Sequence, residues 1–224
     1  MRILLIAATT PEVQPFLDFT EAVKISDNLY STFADENQIN ILIAGAGSVP
    51  FLFNLSKYIF TSEKPELIIL AGIAGTFKRE IPNGTLLEIA EEIWADTGAE
   101  DQDGSLLSMF DLGLWNVNES PFKKGVLTHT KSFFPDLPQA RSLTVHTVSG
   151  TQERIDTLKS RFNPDIENME GAALYYFAGK ERIPCTQIRA ISNLVEPRNR
   201  ENWEIGLAIK NLNAYLENWF LTLH

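Results

Sequence analysis

Three short apolar runs, each stopping at small residues, constrain this chain more than any other feature. Arg2 to Ala8 stops at Thr9, Thr10 and Pro11; Asn40 to Ala44 at Gly45, Ala46, Gly47 and Ser48; Leu67 to Leu70 at Ala71, Gly72, Ile73, Ala74 and Gly75. Runs of this length and continuity read as strands buried on both faces, which requires helices on both sides of a sheet. The chain is therefore predicted to be an α/β protein. Small residues at the strand ends let backbone N–H groups come close to a bound molecule along one edge of the sheet, where open α/β sheets place their ligands.

The remaining segments fit that frame. Ala22 to Ala34 is predicted to be a strand or hairpin, Phe51 to Phe60 a helix, and Gly84 to Ile93 a strand. Trp94 to Pro121, rich in Asp, Gly and Asn with Met109, Phe110 and Trp115 scattered through it, has no clear period. Val145 to Val148 is predicted to be a strand, followed by a helix to about Phe162. Asp165 to Arg200 looks like machinery. There Asn168, Met169 and Glu170 run into the small residues Gly171, Ala172 and Ala173, and the apolar run Ile183 to Ser192 ends on Asn193. A last helix, Asn202 to Leu223, carries Ile205, Ile209, Leu212, Leu216, Trp219 and Leu223 on one face, which predicts a core stripe.

At 224 residues with no linker, residues 1–224 are expected to form a single domain. The net charge of −10 disfavours a nucleic-acid backbone or an anionic membrane surface as partner. One cysteine, Cys185, sits in an apolar run and suggests a buried thiol in a reducing compartment. No signal peptide or membrane-length apolar run follows Met1, so a cytoplasmic location is expected.

The G-x-G at Gly45 and Gly47 lacks a third glycine and is weak as a dinucleotide fingerprint, so no cofactor is expected. His129, His146 and His224 are isolated from other ligands, and no metal is expected. No nucleophile elbow or triad order is present either. What is left is a set of polar side chains at strand ends: Glu12, Glu170, Arg189, Ser192 and Asn193. Thr9, Thr10 and Pro11 resemble a cap followed by proline at the first position of a helix, and Glu12 falls in that helix's first turn, where a carboxylate is stabilised whether or not it has another task. Two carboxylates, a cation and an amide in one cleft suit a reaction with a cationic transition state and an activated water, such as cleavage of an N-ribosidic bond.

In order and spacing, Glu12-Val13, the loop Ala71 to Gly75, Val148-Ser149-Gly150, Asn168-Met169-Glu170 and Arg189 to Asn193 resemble the motifs of the nucleoside phosphorylase and nucleosidase superfamily, particularly the methylthioadenosine/S-adenosylhomocysteine nucleosidases. The ending Ser192 to Arg200, with Trp203, looks like that of the futalosine hydrolases. The resemblance implies a three-layer α/β/α fold with a central twisted mixed β-sheet and a purine nucleoside as small-molecule partner. It implies a homodimer or higher homo-oligomer, in which the 94–121 segment reaches a neighbouring pocket. It also implies roles. Glu12 would activate water, Glu170 would hold the ribose diol, and Arg189 would hold the water or orient Glu12, unless it is simply a buried ion pair. Asn168, Met169, Gly72, Ile73, Ala74 and Ser192 would line the substrate.

At Asn193 the adenine-cleaving relatives carry an aspartic acid. An amide can donate to a carbonyl at C6 while its oxygen faces a protonated N7, so asparagine favours a 6-oxopurine such as hypoxanthine. Ile73 stands where many relatives have a serine. Of the residues after Gly150, Glu153 is the best chemical match to N1–H of that base. The rivals are a phosphate-dependent phosphorylase and a non-catalytic nucleoside sensor. The first needs clustered cations, yet the first half of the chain holds only Arg2 and Arg79 as arginines; the second has no use for Glu12. Arg198 and Arg200 are candidates for an anionic 5′ substituent.

Overall fold

A computed structural model of the chain describes residues 1–129 and 131–223, so His224 lies outside the described residues. The elements in order are β1 (Arg2–Ala7), α1 (Thr10–Phe19), β2 (Val23–Ser26), β3 (Leu29–Ala34), β4 (Asn37–Ile43), α2 (Ser48–Thr61), β5 (Leu67–Thr76) and β6 (Leu86–Trp94). A small hairpin, β7 (Gly98–Glu100) and β8 (Leu106–Ser108), precedes β9 (Leu127–Thr128), β10 (Gln139–Thr144), α3 (Gln152–Phe162) and β11 (Ile166–Asn168). The chain then forms α4 (Gly171–Glu181), β12 (Cys185–Leu194), a 3₁₀ turn at Arg200–Asn202 and α5 (Ile205–Leu221).

The sheet is mixed. β1 runs parallel to β4 and β5, β5 parallel to β12, and β6 parallel to β10, whereas β12 and β6 are antiparallel. β11 pairs in parallel with β10 and then antiparallel with β5, so one half of the sheet curls round and closes on itself while β2, β3 and β4 remain an open wing. That closure makes Gly75 of β5 the register partner of both Glu167 on β11 and Asn193 on β12.

Alternation along the strands sends side chains to two cores. Leu5, Ile69 and Ile188 pack with Phe16, Leu212 and Leu216 of α1 and α5. Leu4, Ile68 and Leu70 pack on the other face with Phe51, Leu55 and Leu174 of α2 and α4. The layers are those expected of helices on both faces of a sheet.

Two local expectations need correction. The strand predicted at Val145–Val148 lies earlier, at β10, because that strand carries Ser142 and Thr144 inward. Both are fully buried; Thr144 Oγ1 donates to Glu92 at 2.8 Å and Ser142 Oγ accepts from Asn168 at 2.7 Å, so the apolar pattern is interrupted by residues satisfied inside the protein. The α5 stripe divides: Leu212 and Leu216 are core, while Ile205 and Ile209 line a cavity. The aromatic residues Phe110 and Trp115 of the irregular segment pack with Trp94, Phe122 and Tyr176 of their own chain, with Trp115 and Phe122 stacked at 5.7 Å.

One buried polar residue ties α5 to the start of α1. Asn213, 1% exposed, accepts from Phe16 N at 2.9 Å and donates to Glu12 O at 2.8 Å and to Ile209 O at 2.7 Å. Pro15 lies inside α1, where proline removes a helical donor, and Asn213 braces the backbone around it. Asn213→Leu leaves those groups unpaired, so denaturant unfolding should show a loss of about 1–3 kcal/mol; an unchanged midpoint would contradict the bracing role.

Candidate active site

The site begins at the amino end of α1. Thr9 is extended and caps the helix, so Glu12, three residues on, turns back toward it. Glu12 Oε2 accepts from Thr9 N at 2.8 Å and Thr9 Oγ1 at 2.9 Å, while Oε1 accepts from Ile73 N at 3.1 Å. Capping therefore occupies one oxygen and the other faces the end of β5. The side chain is 6% exposed. Burial pushes its pKa up from the ordinary carboxylate value, against the pull of Arg189 and of the Thr9 and Ile73 hydrogen bonds.

Arg189 lies deep in β12 and is 1% exposed. Its Nε donates to Gln187 Oε1 at 3.1 Å, Nη1 to Ile73 O at 3.3 Å, and Nη2 to Asn168 Oδ1 at 3.0 Å and Glu170 Oε2 at 3.3 Å. The buried ion pair with Glu170 is thus real, and it coexists with a place beside Glu12. A Cβ on Gly72 would come within 2.7 Å of Arg189 Nη1 and 2.9 Å of Glu12 Oε1, so both groups crowd the same glycine. Gly72 lies under the site without lining it.

Glu170 has its second oxygen, Oε1, on Gly47 N at 2.9 Å. Gly47 holds φ at 85°, a left-handed value suited to glycine, so the G-x-G after β4 delivers a backbone donor to a carboxylate. Ser48 Oγ adds a bond to Met169 O at 3.0 Å.

These groups face a cavity of about 300 Å³. Of the residues that the sequence singled out, Glu12, Ile73, Ala74, Asn168, Met169, Glu170, Arg189, Ser192 and Asn193 line it. A β-bulge in β12 between Ile191 and Asn193 re-aims the strand end. Asn193 Oδ1 accepts from Ser192 Oγ at 2.8 Å and Nδ2 donates to Leu194 O at 3.0 Å, which leaves one amide N–H for a ligand.

Glu153 is a correction. It is exposed on the first turn of α3 and borders a separate surface depression with Glu100 and Thr157, away from the cavity. A third carboxylate in the cavity wall is Glu167, 5% exposed, which accepts from Ser149 N at 2.9 Å and Ser149 Oγ at 2.7 Å. Burial raises its pKa, opposed by the Ser149 bonds and by Arg154. Glu167 stands near the end of an interior strand, the same signal that singled out Asn193. Trp203, Ile205 and Ile209 close the apolar side, and the exposed Arg198 and Arg200 flank Trp203 at 5.2 and 5.6 Å from its ring.

Among the described residues no group of three or more His, Cys, Asp or Glu could hold a metal, and no helix is long and apolar enough to cross a membrane. Residues 2–220 match the family model of the phosphorylase superfamily, to which the chain belongs. Within it the chain is an enzyme that hydrolyses N-glycosidic bonds. It is 34% identical over 162 residues to futalosine hydrolase of Streptomyces coelicolor, covering 69% of this chain and 68% of that one. It is 29% identical over 174 residues to futalosine hydrolase of Thermus thermophilus, covering 76% of each. In fold it is similar to S-adenosylhomocysteine nucleosidase of Streptococcus pyogenes, with TM-score 0.81 at 17% identity over 100% of this chain and 98% of that one. A futalosine hydrolase mutant of Helicobacter pylori gives TM-score 0.77 at 17% identity over 99% and 98% of the two chains.

Gly72→Ala should push Arg189 and Glu12 apart with no exposed surface altered. Turnover should fall roughly a hundredfold with thermal stability changed far less, and wild-type turnover in this variant would contradict the packing described.

Proposed function

We propose that the chain hydrolyses the N-ribosidic bond of a 6-oxopurine nucleoside. The substrate is futalosine, giving hypoxanthine and dehypoxanthine futalosine in the alternative menaquinone pathway. The observation that carries this reading is that Glu12, Glu170 and Asn193, 181 positions apart at the extremes, line one cavity. The curated relatives named above support the choice of substrate.

Each group has a task that its surroundings suit. Glu12, in the cavity wall with its basicity raised by burial, takes a proton from water below the sugar. Glu170 accepts the ribose hydroxyls and steadies the positive charge that grows on the sugar as the bond breaks, an interaction stronger in the transition state than before it. Arg189 keeps the two carboxylates at fixed places. Asn193 offers its free N–H to the carbonyl at C6. Glu167, across Gly75 from Asn193, faces N1–H in the part first given to Glu153. Two strand spacings separate Glu167 from Asn193, roughly 10 Å between backbones, a span that fits a purine.

Charge favours water over phosphate. Three carboxylates, Glu12, Glu167 and Glu170, line the cavity with Arg189 as the cation among the described lining residues, and Arg189 is already bonded to Glu170. A phosphate dianion would meet repulsion there. Arg198 and Arg200, 5.2 and 5.6 Å from the Trp203 ring, suit a 5′ substituent that is aromatic and anionic, as futalosine's benzoate-bearing tail is.

The test is purified protein with futalosine, inosine and methylthioadenosine side by side, with and without phosphate, and the released base identified. Hypoxanthine from futalosine without phosphate is expected. Strict dependence on phosphate, or adenine released faster than hypoxanthine, would overturn the reading. In the same panel Glu167→Gln should cut 6-oxopurine cleavage by roughly 10- to 100-fold relative to the adenine nucleoside, the loss of one charged hydrogen bond.

A further inference from the structure

The cavity groups rest on a network of buried polar side chains that reaches behind the cavity wall. Glu92 of β6 is fully buried and lies outside the cavity lining. Its Oε1 accepts from Thr144 Oγ1 at 2.8 Å and Asn168 Nδ2 at 3.1 Å, and its Oε2 accepts from Gln187 Nε2 at 2.6 Å and Asn168 Nδ2 at 3.2 Å. An ionised carboxylate only accepts, so each amide must turn its NH₂ toward Glu92. Each carbonyl oxygen then points the other way. Gln187 Oε1 meets Arg189 Nε at 3.1 Å; Asn168 Oδ1 meets Arg189 Nη2 at 3.0 Å, Glu170 N at 2.8 Å and Gly171 N at 2.7 Å. Reversing either amide would set NH₂ against a guanidinium.

We propose that Glu92 is a positioning residue for the hydrolysis, setting which way round the Gln187 and Asn168 amides lie and so holding Arg189 against Glu170 and beside Glu12. The local sequence is shaped around it. A Cβ on Gly171 would run into Glu92 Oε2 and come within 2.6 Å of Gln187 Nε2, so α4 opens on a residue that leaves room for this network. Burial pushes the Glu92 carboxyl up to about 7, against the pull of Thr144, Arg189, Gln187 and Asn168.

The inference rests on the proposed hydrolysis only for its kinetic readout. The test compares wild type, Glu92→Gln and the transposed pair Glu92→Gln with Gln187→Glu, which has the same net charge and composition as wild type. In the single variant an NH₂ faces donors and Gln187 is forced to reverse. Turnover of futalosine should fall roughly a hundredfold with KM changed far less, and the transposed pair should regain most of it. In the pair the amide introduced at position 92 donates to the carboxylate introduced at position 187, and that carboxylate still accepts from Arg189. The Arg189 Nε–H, assigned by nitrogen-15 NMR without substrate, should exchange faster in the single variant and return toward wild type in the pair. This second readout separates failure of the network from failure of the substrate assignment. Wild-type turnover and Nε–H exchange in Glu92→Gln would overturn the proposal, as would a folded transposed pair no better than the single variant. Should Glu92→Gln not fold, Gln187→Met, which removes the relay between Glu92 and Arg189, must lower turnover; unchanged turnover there would overturn it equally.

Discussion

A guanidinium with 1% of its surface exposed is the constraint on which the rest of the molecule depends. Taking such a charge out of water costs several kcal/mol unless acceptors surround it, and the acceptors round Arg189 come from distant parts of the chain. Ile73 O comes from β5, Gln187 from β12 itself, Asn168 from β11 and Glu170 from the turn into α4. They can meet only because β11 closes back onto β5. Glycines at 72 and 171 then leave the space that this crowding of charge requires, and the left-handed φ of Gly47 turns its N–H to Glu170.

The same closure explains how one fold can hold acids at different tasks within a few residues of one another. Glu12 uses one oxygen to cap α1 and keeps the other for the end of β5, so the helix that needs a cap also fixes a carboxylate at the cavity wall. Glu167 grips the turn at Ser149, and Glu170 is clamped between Gly47 and Arg189. Behind them Glu88 and Glu92, four residues apart on β6 with a register shift between them, are both fully buried. Glu88 anchors Phe133 N at 2.9 Å and Thr186 Oγ1 at 2.7 Å, and Glu92 orders the amides around Arg189.

Much of this was legible in the sequence. Apolar runs broken by small residues locate β1, β4 and β5, and polar residues at strand ends point to Glu12, Arg189 and Asn193. Glu167 and Glu92 were not legible, because their meaning depends on which strands become neighbours. Spacing along the chain says nothing of β11 pairing with β5. β10 was placed too late for a related reason: Ser142 and Thr144 look like loop residues until the buried partners that satisfy them are known. Chemistry alone favours Glu153, and α3 carries it to the surface.

Because the proposed hydrolysis uses the buried Glu12 carboxylate as its base, the pH dependence of kcat/KM for nucleoside cleavage, in wild type and in Glu12→Gln, is the most direct test. A base works when deprotonated, so activity should fall on acidification, with a midpoint above the ordinary carboxylate value because burial raises it; Glu12→Gln should lose roughly a hundredfold or more of the rate. A midpoint at or below that ordinary value, or wild-type turnover in Glu12→Gln, would contradict the account.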